Sequence, residues 1–60
     1  MTEPLTPREL DCIAAIRRYG SERAAAMALG LSVHTLKVHL AHARSKRGVH
    51  RTWMLFDVAA

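Results

Sequence analysis

Sixty residues allow one small domain, and the 50% hydrophobic content overstates its core because ten of those residues are alanine. The formal net charge is +4, and the single cysteine, Cys12, excludes an internal disulfide. No segment has the length and apolarity of a membrane span, and Met1 to Pro7, with two prolines, does not fit a secretory leader. The chain is therefore expected to be a soluble, cytoplasmic single domain over residues 1–60.

Helix one announces itself at Thr6-Pro7-Arg8-Glu9. Thr6 is placed to cap the first amides, Pro7 loses no needed donor at the first helical position, and Glu9 completes a capping box. Leu10, Ile13, Ala14 and Ile16 follow at helical spacing, and Gly20 stops the run, predicting a helix over 7–19. Cys12 falls among them as a small buried or half-buried thiol. Ser21 caps a short alanine-rich helix over 22–29 that ends at Gly30. Ser32 caps a third over 33–47 that ends at Gly48. Thr52 is the expected cap of a last helix over 53–59. No strand pattern, repeat or low-complexity stretch interrupts these elements. The prediction is an all-α fold, a small four-helix bundle containing a helix-turn-helix.

Charge is segregated along this chain. Between Glu22 and Asp57 there is no acid, yet Arg23, Lys37, Arg44, Lys46, Arg47 and Arg51 lie there. A positive stretch on a small domain is the footprint of a protein that docks on phosphates. Ala26, Gly30 and Leu36 stand at the spacing that two helices crossing through a tight turn require: a small residue where they touch, a glycine for positive φ, and a branched residue locking the next helix. A helix held this way leaves one face outside the domain, and in a helix-turn-helix reader that face enters the major groove.

Leu5-Thr6-Pro7-Arg8-Glu9, Ser21 through Leu29-Gly30-Leu31-Ser32, Thr35-Leu36-Lys37-Val38-His39-Leu40 and Gly48-Val49 together resemble the LuxR-type (NarL/FixJ, GerE) DNA-binding domain. The resemblance implies a four-helix bundle whose third helix reads the major groove and whose last helix forms the dimer contact. It also implies transcription regulation through double-stranded DNA. Ala24 stands where the family usually has Glu, Arg47 where a core Leu precedes the glycine, and Ala43 where a larger apolar residue is usual. No receiver or ligand-binding domain precedes helix one, so a stand-alone reading head is expected.

With Leu36, Leu40 and Ala43 facing inward, Lys37, Val38 and Ala41 lie on the outer side as candidate base contacts. Lys37 is suited to guanine O6 or N7, and Val38 to a thymine methyl. His34 and Thr35 in the first turn, with Arg44, Lys46 and Arg51, are candidate phosphate contacts. Trp53, Met54, Leu55, Phe56 and Val58 make the last helix apolar nearly all round. Trp53, Met54 and Phe56 are therefore assigned to an interface with a second copy or a partner regulator. Four histidines, with His39 and His42 three apart, do not supply the ligand set of a zinc site, so no metal or other cofactor is expected. No nucleophile–base spacing, paired polar carboxylates or glycine-rich phosphate loop points to an enzyme or a small-molecule substrate. The rival function is a protein-interaction module that inhibits or redirects a full-length relative, or transcription machinery, through the apolar last helix.

Overall fold

The computed structural model describes the backbone of residues 3–58 and the side chains of residues 3–56. Three helices carry the fold: α1 (Pro7–Tyr19), α2 (Glu22–Leu29) and α3 (Val33–Arg47). Their bounds coincide with those read from the caps. At α1, the Glu9 amide donates to Thr6 Oγ1 at 3.1 Å while the Thr6 amide donates to Glu9 Oε1 at 2.9 Å, so the capping box is closed in both directions. Ser21 Oγ accepts from the Ala24 amide and Ser32 Oγ from the Thr35 amide, both at 3.1 Å, fixing the starts of α2 and α3.

Between α2 and α3 the chain turns through Gly30, Leu31 and Ser32 alone. Gly30 has φ +70°, and the Gly30 and Leu31 amides bond back to the Met27 and Ala26 carbonyls at 3.2 and 2.9 Å. This is a Schellman closure, which a left-handed residue makes possible. A Cβ on Gly30 would meet open space, so backbone conformation and not crowding demands the glycine. The two helices leave the turn at 102° to each other, within the range of helix-turn-helix units.

α1 packs across both helices of this pair. The shared core is Cys12, Ile13, Ala15, Ala25, Ala26, Leu36, Leu40, Ala43 and Leu55, with Leu5, Ile16, Leu29, Leu31, Val49 and Phe56 packed around it. Four of these nine core residues are alanine, so close backbone approach stands in for side-chain volume. Ala43 is fully enclosed despite its size, while Leu10 is 43% and Trp53 63% exposed, outside the core their apolarity suggests. Burial also raises the Cys12 thiol pKa, which favours the protonated form.

The helix expected over 53–59 is not found in that form. A 3-10 turn, Thr52–Met54, runs into a single α-helical turn, α4 (Leu55–Val58), and position 59 lies outside the described residues. The expected cap is engaged elsewhere. Thr52 Oγ1 is occupied at 2.8 Å by the Arg44 guanidinium, and Arg51 precedes the turn without any side-chain cap. Leu55, fully buried, anchors the segment against α1 and α3.

A second tie joins the two ends of the helical core. Glu9 is 3% exposed, and its Oε1 receives the Lys46 ammonium at 2.8 Å across 37 residues of sequence. The same ammonium reaches the Pro4 carbonyl at 3.4 Å. Burial on its own raises the Glu9 pKa. The hydrogen bond from Lys46, the Thr6 bonds and the Lys46 charge together outweigh it, and the net shift is downward. A carboxyl whose folded pKa is depressed contributes stability above its unfolded value and loses it as pH falls through the folded one. The Glu9 contribution is therefore complete above about pH 4.5 and is expected to vanish progressively below it. Denaturant titrations between pH 2 and 6 should show this acid limb, and Glu9→Gln should flatten it. A limb of unchanged depth in the variant would assign acid lability to other groups.

Candidate nucleic-acid interface

α3 divides cleanly into two faces. Leu36, Leu40 and Ala43 are at most 1% exposed and point into the core. His34, Lys37, Val38, Ala41 and Ser45 are exposed and follow at steps of three, one, three and four, one helical stripe on the far side. Four assignments from sequence, His34, Lys37, Val38 and Ala41, sit on this stripe, and Val38 is 37% exposed. Ser45, which sequence reasoning did not select, extends it by a turn. No carboxylate belongs to α3.

At the start of α3, His34 is exposed and Thr35 half-buried. The Thr35 hydroxyl receives the Ser32 hydroxyl proton at 2.9 Å and its amide is already bonded to Ser32 Oγ. Thr35 thus completes the cap, and its hydroxyl proton is left to donate outward.

The other cations differ in how free they are. Arg44 is half-buried and holds Thr52, whereas Arg51 is exposed. Arg47 is half-buried, and its Nε has no hydrogen-bond partner among the described residues. Lys46, assigned from sequence to phosphate, has a side chain only 17% exposed and points into the Glu9 pair. Lys37 lies on the stripe, with Nζ 3.9 Å from Glu22 Oε1. Both acids, Glu9 and Glu22, precede the acid-free stretch, so charge separated in sequence is brought back together in space. Helical spacing gives no signal for either pair, since each crosses between helices.

The C-terminal turn places Trp53 outward, Met54 half-buried and Phe56 half-buried against α1. The Arg17 guanidinium carbon lies 5.8 Å from the centre of the Phe56 ring, within cation–π range. Leu10, Ile13, Ala14, Arg17, Arg18 and Phe56 line an open groove of about 410 Å³ between α1 and this turn. The three residues assigned to an interface are thus not equivalent: Trp53 alone is mostly exposed.

Among the described residues no three His, Cys, Asp or Glu side chains converge on a point. No single helix among them is long and apolar enough to cross a membrane. No protein-family model, curated protein or solved structure matches the chain.

The Glu9 pairing gives Lys46 a distinct test from the stripe residues. Lys46→Met leaves a buried carboxylate without its partner and is expected to cost about 3 kcal/mol of folding stability. Thermal and denaturant melts measure this. A variant that melts like the parent and loses only affinity for duplex would instead make Lys46 a phosphate contact.

Proposed function

We propose that this chain is a sequence-specific, double-stranded DNA-binding regulator of transcription of the LuxR type, reading the major groove with α3. The observation that carries this reading is the 102° crossing of α2 and α3 through a three-residue turn, which leaves the His34-Lys37-Val38-Ala41 stripe outside the domain. A stripe on a 15-residue helix, about 22 Å long at 1.5 Å per residue, fits a groove about 12 Å wide and 8.5 Å deep. Lys37 donates to guanine, Val38 meets a thymine methyl, and Ala41 sets how closely the helix approaches. His34, Thr35 and Arg51 position the helix on phosphates, with Arg44 at the edge of the same surface.

In this reading the C-terminal turn occupies the place of the family's fourth helix, and Trp53 and Met54 present the dimer contact. Phe56 supports that contact from beneath. Two copies then address half-sites about one helical turn of DNA apart. The protein acts in the cytoplasm as a binding module, without cofactor or catalysis.

Trp53, at 63% exposure, also favours the rival reading, a module that captures a relative or transcription machinery through this turn. Selection from random duplexes separates the two. Under DNA reading an enriched site emerges, affinity falls steeply with salt, and Lys37→Ala costs about 1–3 kcal/mol while relaxing preference at one position. Trp53→Ala then weakens binding to a two-half-site duplex more than to a single half-site. No enriched site, together with a harmless Lys37→Ala and an inactivating Trp53→Ala, would transfer the function to the partner-capture module.

A further inference from the structure

The acid facing the reading stripe has no evident use in attracting DNA. Glu22 is the first residue of α2, and its carboxylate lies 3.9 Å from the Lys37 ammonium on the second turn of α3. The two side chains are 45% and 59% exposed, so the pair stands in water and is held weakly. The α2–α3 turn brings them together, and the negative charge lies on the same side of the domain as the stripe. A carboxylate beside the best-placed cation of a phosphate-seeking surface opposes non-specific binding.

From this we propose that Glu22 is a specificity-determining residue of the α3 interface. The inference rests on the DNA reading of α3 and deepens it. In the free protein Glu22 offsets part of the Lys37 charge. On a duplex lacking the right base, Lys37 gains only a phosphate, exchanging one anion for another. That exchange returns little. On the right site, guanine O6 and N7 offer a directed pair of acceptors in place of a diffuse charge, and release of Lys37 is compensated. Glu22 thus weakens every complex, but wrong ones more than right ones, which widens the ratio between them.

The pairing also explains why a weak surface contact suits the position. A buried, tightly held pair such as Glu9–Lys46 would keep the lysine from any base. An unpaired Lys37 would add to binding everywhere on the duplex. A contact at the outer limit of ion-pair distance, open to water and salt, is one that a base edge displaces.

The test uses the full chain, the duplex recovered by selection, and a random-sequence duplex of equal length. Glu22→Gln is expected to raise affinity for the random duplex ~5-fold and for the selected one less than ~2-fold, shrinking the specificity ratio. The slope of log affinity against log salt on the random duplex should steepen by about 0.9, as one more phosphate is neutralised. Glu22 also sits at the positive end of α2, so melting curves accompany the binding data. In a Lys37→Gln background the same substitution should leave both affinities and the slope unchanged, because Glu22 acts through Lys37. Equal gains on both duplexes, or gains that persist without Lys37, would overturn the role assigned to Glu22 while leaving DNA reading intact. A parent chain that prefers no duplex at all would remove the reading and this inference together.

Discussion

The left-handed backbone at Gly30 is the constraint on which the arrangement depends. With φ at +70°, the chain closes two carbonyls of α2 and reverses into Ser32, whose hydroxyl caps α3 three residues later. No extra residue lets the angle between the helices drift. Because α2 and α3 leave at 102°, α3 contributes one stripe to the core and holds the other clear of it. A longer or straighter connection would lay α3 along α2 and enclose the stripe. The small residues follow from the same crossing: Ala25 and Ala26, at most 2% exposed, are what permit the close approach.

A core so rich in alanine has little hydrophobic area to spend. A chain of this size buries only about 60% of its unfolded surface. Polar contacts therefore carry an unusual share of the long-range connectivity. Glu9–Lys46 ties the first turn of α1 to the last turn of α3, and Arg44–Thr52 ties α3 to the C-terminal turn. Glu9 is used twice over, closing the capping box and receiving Lys46 with the same oxygen. The element that begins the fold is thereby fixed to the element that would read DNA, and α3 cannot roll about its axis without breaking a buried ion pair.

What the sequence made legible divides along the range of the interactions involved. Bounds of α1, α2 and α3 are set by contacts three to five residues long: Thr6 to Glu9, Ser21 to Ala24, Ser32 to Thr35, and the glycine closures. Such rules are local, and the sequence displays them. The inward and outward faces of α3 were equally readable from the spacing of Leu36, Leu40 and Ala43. The C-terminal segment was misread because Thr52 was judged by what it could do locally, as a cap, while Arg44 claims its hydroxyl. The cations follow the same pattern. Counting acids along the chain made Lys46 a free cation, whereas Glu9, 37 residues away, receives it. Trp53, assigned to an interface for its apolarity, is 63% exposed, as that assignment requires of a surface residue.

These differences alter what kind of surface the stripe is. Six cations without an acid suggested a broad positive field, in which phosphate attraction dominates and any duplex is a partner. With Lys46 withdrawn, Arg44 and Arg47 half-buried and Lys37 set against Glu22, the field is thinner and concentrated in fewer places. A thin field gives less indiscriminate affinity, so a larger fraction of any binding must come from directed contacts at Lys37, Val38 and Ala41. Under the proposed DNA reading it would also give one copy less total affinity, so that a second copy would be more valuable: two half-sites engaged together multiply weak individual contacts. The exposed indole of Trp53, on the turn held by Arg44, is where that second copy has the most apolar surface to gain. Under the proposed reading, weak charge on the stripe and an open aromatic on the C-terminal turn belong together, since discrimination at the stripe would leave affinity to be supplied by association.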